Sequence, residues 1–134
     1  MSDKFDVRDD RLYTKDHEWA AEKPDELVVG ITAYAVDQLG DITLVNLEVK
    51  VGDSVSAGKA FGTIESVKTL SDLFSPVTGK VTHVNGTLEN QPELVNEDCY
   101  GRAWMISIAA ADPAEKNSLL SPDAYRDLLK GVAH

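Results

Sequence analysis

The chain has 134 residues, 43% of them apolar, which suits one compact domain with a modest core over residues 1–134. Thirteen lysines and arginines against 23 aspartates and glutamates give a net charge of −10, which argues against nucleic-acid binding and against docking on an anionic membrane. The lone Cys99 rules out an intrachain disulfide, no apolar run is long enough to span a membrane, and the opening Met1-Ser2-Asp3-Lys4-Phe5-Asp6 lacks a signal or transit pattern, so a bacterial cytoplasmic setting is expected.

Residues 1–10 are polar and charged and read as a loose, peripheral N-terminal arm. The apolar run at 27–31 reads as a buried strand. Residues 32–39 predict about two turns of helix, with Thr32 as N-cap, Ala35, Val36 and Leu39 as the apolar stripe, and Gly40 as the stop. Alternation over 42–51 predicts a long strand. Thr43, Val45, Leu47, Val49 and Val51 share one face; Asn46, Glu48 and Lys50 take the other, whose early part is covered because Ile42 and Leu44 also lie there.

Gly52-Asp53 and Ala57-Gly58-Lys59 mark turns, and short strands are expected at 60–67, 77–84 and 103–108. Their dividers are Ser75-Pro76, Asn85-Gly86 and Asn96-Glu97-Asp98. Residues 121–131 read as a C-terminal helix: Ser121 caps it, Pro122 and Asp123 open it, Tyr125, Leu128 and Leu129 form its stripe, and Gly131 closes it. Short strands without intervening helices place the chain in the mainly β class. The expected fold is a flattened barrel or sandwich, with a short helix near 33–39 and the C-terminal helix.

Common catalytic signatures are missing. His17, His83 and His134 lie far apart without metal-ligand spacing, and the nine glycines form neither a phosphate loop nor a dinucleotide fingerprint. Asn85-Gly86-Thr87 is accounted for as a turn. An ordinary enzyme is not supported. The segment 62–72, Gly-Thr-Ile-Glu-Ser-Val-Lys-Thr-Leu-Ser-Asp, puts Lys68 at the tip between two short strands. By physics alone Lys68 is an exposed ammonium, and most such lysines do nothing specific; a rigid hairpin tip also suits a modification site.

Glu65-Ser66-Val67-Lys68 resembles the attachment motif of the H proteins of the glycine cleavage system, within the lipoyl and biotinyl carrier superfamily. Biotinyl carriers place methionines around the lysine, and 2-oxoacid dehydrogenase lipoyl domains usually place an aspartate before it; neither pattern is here. His17-Glu18-Trp19, Gly30-Ile31-Thr32, Leu39-Gly40-Asp41, Ser75-Pro76-Val77-Thr78-Gly79 and Leu94-Val95-Asn96-Glu97-Asp98 extend the likeness over roughly residues 12–130, in family order.

The resemblance implies a lipoate amide on Lys68 and a carrier that catalyses little itself. Its arm would take the aminomethyl group of glycine from a pyridoxal-phosphate glycine decarboxylase (P protein). It would deliver that group to a tetrahydrofolate-dependent aminomethyltransferase (T protein) and be reoxidised by dihydrolipoyl dehydrogenase (L protein), a lipoate-attaching enzyme having installed it. A monomer suits such visits. A cleft for the ammonium cargo would use Glu18 and Asp72, with Asp16 adding charge beside them. His17 would donate a hydrogen bond that orients the N-terminal segment, and Trp19 would pack in the core.

Asp16, Glu48, Cys99 and Arg102-Ala103 depart from the family pattern, which usually has serine, proline, proline and glutamate-glycine there; Glu48 implies a less rigid turn, and Ala103 a local backbone difference. Two rivals use the same lysine. One is an H-like relay of octanoyl or lipoyl groups, whose acyl cargo has no use for paired carboxylates. The other is a Schiff-base enzyme, which needs a desolvated amine that an exposed tip does not provide.

Overall fold

The structure is a computed structural model and describes residues 5–132. In chain order its strands are β1 (Leu12–Tyr13), β2 (Glu18–Lys23), β3 (Glu26–Ile31), β4 (Ile42–Leu47), β5 (Ser54–Val55), β6 (Ala60–Ser66), β7 (Leu70–Phe74), β8 (Gly79–Val84) and β9 (Ile106–Ala110). They form two antiparallel sheets, six strands in the order β1-β2-β3-β9-β8-β5 and three in the order β4-β6-β7. Val29, Ile31, Val81, Ile106 and Ile108 of the first sheet share one buried core with Val45, Phe61, Ile64 and Leu73 of the second. Burying one face of each sheet against the other yields a sandwich, the open form of the expected mainly β fold.

Helix α1 (Ala33–Leu39) forms where the sequence places it. Thr32 Oγ1 accepts the Ala35 N–H at 3.3 Å, and the Gly40 N–H closes the last turn on Val36 O at 2.9 Å. A second, aromatic cluster gathers Tyr13, Trp19, Tyr100, Tyr125 and Leu129. It docks helix α4 (Pro122–Val132), with Tyr13 and Tyr125 stacked at 4.5 Å between ring centroids. Burial pushes the Tyr13 phenol up to about 12. Gly30 lies opposite Trp19 in the β2–β3 ladder, and a Cβ there would meet the indole at 2.5 Å.

Several expectations are corrected. The long strand stops at Leu47, and a register irregularity between Ile42 and Leu44 turns Ile42 inward while leaving Thr43 and Leu44 exposed. Helix α4 continues through Gly131 to Val132. The strand expected at 103–108 begins only at Ile106, because Asp98 holds the preceding turn through the backbone N–H groups of Arg102 and Ala103. The strand expected at 77–84 begins at Gly79, after Ser75 Oγ donates to Val77 O at 2.6 Å.

Single-turn helices α2 (Thr87–Asn90) and α3 (Leu94–Glu97) occupy stretches read as turns, burying Leu88, Leu94 and Val95. Asn85 is itself buried, and its Nδ2 donates to Arg102 O and Trp104 O, so the residue expected in a simple turn stitches two loops together. A 3-10 turn at Pro113–Ser118 leads towards α4. Among the described residues no helix is long and apolar enough to cross a membrane.

Of the arm expected at 1–10, residues 1–4 lie outside the described residues. The following stretch is tied to the body: Tyr13 O–H donates to Arg8 O at 2.7 Å and the Arg126 guanidinium to Val7 O at 3.0 Å. At Glu48 the backbone N–H donates to Phe61 O at 3.0 Å, a bond that proline would lose. Ala103 does not adopt positive φ, so it replaces glycine without strain.

Candidate functional site

Strands β6 and β7 make the hairpin that carries Lys68, with Glu65 opposite Leu70. Ser66 organises the four-residue tip. Its N–H donates to Thr69 O at 2.9 Å, and its Oγ accepts the N–H groups of Lys68 and Thr69, each at 3.2 Å. The Val67 N–H donates to Asp41 O at 3.1 Å, fastening the tip to the corner after α1. Asn96 braces that corner in turn, donating to Gly40 O at 3.0 Å and accepting the Ile42 N–H at 2.9 Å. Gly40 sits at φ 79° and ψ −151°, a region open essentially to glycine alone, and a Cβ there would lie 3.4 Å from Lys68 Cε. Lys68 itself is exposed, and among the described residues its Nζ makes no ion pair or hydrogen bond.

Beside the hairpin lies a cleft of about 400 Å³ whose lining includes Asp16, His17, Glu18, Tyr34, Ser71 and Asp72. Glu18 is its buried member, at 3% exposure. Thr14 Oγ1 donates to Glu18 Oε1 at 2.6 Å, and the Phe74 N–H donates to Oε2 at 3.3 Å. Burial dominates over these donors and pushes the Glu18 carboxyl up to about 7. A carboxyl with both oxygens fixed and its charge penalised by desolvation is suited to receive a cation that repays the desolvation.

The other expected site residues are placed differently. Asp16 is exposed on the same turn, where its charge raises both His17 and Glu18. Asp72 is exposed at the rim; strand alternation gives it the outer face with Thr63, Glu65 and Leu70, while Ile64, Ser71 and Leu73 take the inner one. His17 Nδ1 lies 2.8 Å from Tyr125 Oη, so its contact is with α4 and not the N-terminal segment. Glu65 and Ser66 end β6, and Val67 is 68% exposed beside Lys68. Trp19 is buried as expected, its Nε1 donating to Cys99 O.

Thr14, Ser71, Tyr34 and Tyr125 are not marked as site residues by the sequence, Tyr125 being legible there only as part of a helix stripe. Thr14 alone left a local signal, a hydroxyl four residues before Glu18 at the mouth of a strand. The residues at the tip and cleft fit a lysine-borne lipoyl group: the amine is free, and a cleft adjoins it.

A protein described as a probable glycine cleavage system H protein from Haloarcula marismortui is 48% identical over 126 residues, covering 94% of this chain and 98% of the relative. A glycine cleavage system H protein from Magnetococcus marinus is 52% identical over 113 residues, covering 84% and 80%. The crystal structure of a glycine cleavage system H protein from Mycobacterium marinum superposes with a TM-score of 0.82 at 36% identity, covering 96% of this chain and all of that one. With residues 11–132 also matching the sequence model of the glycine cleavage H-protein, the chain belongs to that family, the lipoyl carriers of the glycine cleavage system.

Proposed function

We propose that this chain bears lipoate in amide linkage on Lys68 and carries the aminomethyl group of glycine between enzymes, catalysing no step itself. One observation carries the reading: a free, exposed Lys68 stands on a braced hairpin beside a cleft that buries the Glu18 carboxyl. The lipoyl disulfide, when bound, supplies a centre that opens on taking up the one-carbon amine and closes again by reoxidation.

The chain's own residues do the rest. Ser66 and Asp41 hold the tip so that Lys68 projects from it. Strand β7, about 17 Å long, runs from that tip to Phe74, whose N–H fixes one oxygen of Glu18. Glu18 meets the ammonium end of the cargo, and Thr14 keeps its other oxygen aimed. Asp16, and more weakly Asp72, add negative charge at the rim.

In this reading the partners are the decarboxylase that loads the arm, the aminomethyltransferase that unloads it, the dihydrolipoyl dehydrogenase that reoxidises it and a lipoate-attaching enzyme. The chain works as a monomer in the bacterial cytoplasm. Intact mass of protein purified from its own organism, followed by peptide mapping, tests the attachment, and one lipoyl amide on Lys68 is the expected result. A chain found unmodified, which a lipoate ligase also fails to modify, overturns the reading. A lipoylated chain that the decarboxylase cannot load from glycine replaces the aminomethyl cargo with the octanoyl or lipoyl relay.

A further inference from the structure

Three polar side chains meet near Glu18, one from the turn before β2, one from the N-cap of α1 and one from α4. Thr32 Oγ1 lies 2.7 Å from Tyr125 Oη, and Tyr125 Oη lies 2.8 Å from His17 Nδ1. Thr32 and Tyr125 are fully buried, so neither hydroxyl proton can turn to water. Thr32 Oγ1 already accepts the Ala35 N–H as the cap of α1. Among the described residues its one other hydrogen-bond partner is Tyr125 Oη, so the Thr32 proton is donated there. The Tyr125 proton is then left with His17 Nδ1 as its acceptor. An Nδ1 that accepts is unprotonated, and the neutral ring carries its proton on Nε2. The reverse order, with His17 donating to Tyr125 and Tyr125 to Thr32, would strand the buried Thr32 proton without an acceptor.

We propose that Thr32 and Tyr125 form a relay that locks His17 as its neutral, Nε2-protonated tautomer in the cleft wall and so positions the turn bearing Glu18. His17 needs such support, since it sits at φ 71°, in the left-handed region. Its backbone is pinned by Thr14 O, which accepts the His17 N–H at 3.1 Å, and by the Thr32 N–H, which donates to His17 O at 3.0 Å. Its ring rests on Tyr34, with centroids 4.5 Å apart. Tyr125 fixes the ring's remaining rotation through Nδ1, and Glu18 is the next residue along.

Neutrality serves the cleft as well. An imidazolium one residue from Glu18 would compete with an ammonium cargo for the carboxylate. The charged and titratable groups around the ring are Lys15, Asp16 and Glu18 of its own turn, Tyr34 of α1 and Tyr125 of α4. Burial lowers the proton affinity of His17, with Asp16 pulling the other way, so the surroundings agree with the direction set by the relay.

This role for His17 rests on the cargo reading above, but its test needs no lipoyl group. Long-range proton–nitrogen correlation on the unmodified full chain reads the tautomer directly at pH 7. The expected result is an unprotonated Nδ1 and a protonated Nε2 on His17. Tyr125→Phe keeps the stack on Tyr13 but removes the hydroxyl, and a several-fold rise in Nδ1-protonated His17 is expected. Thr32→Ser keeps both donor and cap and should preserve the native tautomer. The Glu18 titration midpoint, followed by its side-chain carbon shift, should move in Tyr125→Phe and stay native in Thr32→Ser.

An Nδ1-protonated or doubly protonated His17 in the native chain overturns the relay, and that outcome stands even where Tyr125→Phe fails to fold. A folded Tyr125→Phe with native tautomer and native Glu18 midpoint overturns it too. Failure of Lys68 lipoylation would sink the carrier reading and leave these spectra unchanged.

Discussion

The Phe74 N–H donates to Glu18 Oε2 at 3.3 Å, which ties the buried carboxylate of the cleft to the strand descending from Lys68. Strand β7 is thus shared by the tip and the cleft: at one end it follows Lys68, at the other it helps hold the acid. Five residues of paired backbone separate the two ends.

The raised carboxyl of Glu18 has a signed consequence for stability. Its folded value, about 7, lies above the ordinary 4.5, so between those pH values the folded chain binds more protons than the unfolded one. Stability contributed by the neutral form is present below about pH 4.5 and is lost as pH rises through 7, on the order of 3 kcal/mol in all. Glu18→Gln cannot ionise. Urea unfolding of both proteins from pH 4.5 to 8 should show the native chain losing stability relative to the variant; a difference that stays constant with pH would contradict the burial.

Gly40→Ala should destabilise the fold by about 1–3 kcal/mol, because its φ and ψ are accessible essentially to glycine. The added Cβ would sit 3.4 Å from Lys68 Cε, an ordinary contact with a flexible stem, so the effect falls on the corner that holds the tip through Asp41 O. Thermal unfolding reads the loss of stability, and the rate of enzymatic lipoylation, expected to fall as that corner is strained, reads its reach to Lys68.

Ser66→Ala removes the oxygen that accepts the Lys68 and Thr69 N–H groups. Global stability should drop by only about 1 kcal/mol, since the tip is exposed. Amide exchange at Lys68 and Thr69 should accelerate well beyond that of β6, and lipoylation should slow. Unchanged exchange at the tip would mean that Asp41 holds it alone.

Glu18 and Asp72 should separate cleanly in how long the loaded arm survives. Removing a buried, charge-assisted partner by Glu18→Gln should shorten the lifetime of the aminomethyl group roughly tenfold or more. Asp72→Asn, at an exposed position on the outer sheet face, should change it by less than about fivefold. The measurement is ammonia release from the loaded protein; equal effects would mean that Asp72 at the rim contacts the cargo as closely as Glu18 does.

The parts of the fold visible in the sequence are those with local chemical signatures. Thr32 and Gly40 bracket α1 because a hydroxyl cap and a positive-φ stop are properties of single residues. The Lys68 hairpin is legible through its motif and its flanking apolar runs. Strand β2 is not, because Glu18-Trp19-Ala20-Ala21-Glu22-Lys23 lacks two-residue alternation; its burial comes from the neighbours β3 and the aromatic cluster. The bulge between Ile42 and Leu44 changes the faces of only the first residues of β4, Val45 and Leu47 still pointing to the core, and nothing within 42–51 announces it. Tyr125 is legible as an apolar stripe residue, while the use of its hydroxyl depends on Thr32 and His17, 93 and 108 positions away.

The brace from Asn96 through Gly40 and Asp41 to Val67 determines where motion is allowed. Backbone on both sides of Lys68 is held, so a group attached to its amine pivots from the lysine stem while its mount stays still. The volume such a tether sweeps is then a sphere set by bond lengths and centred on a known point of the surface. Each visiting active site can be matched to that sphere by depth alone: a shallow site needs only close approach to the tip, whereas a deep one must draw the tether out to full extension and away from Glu18.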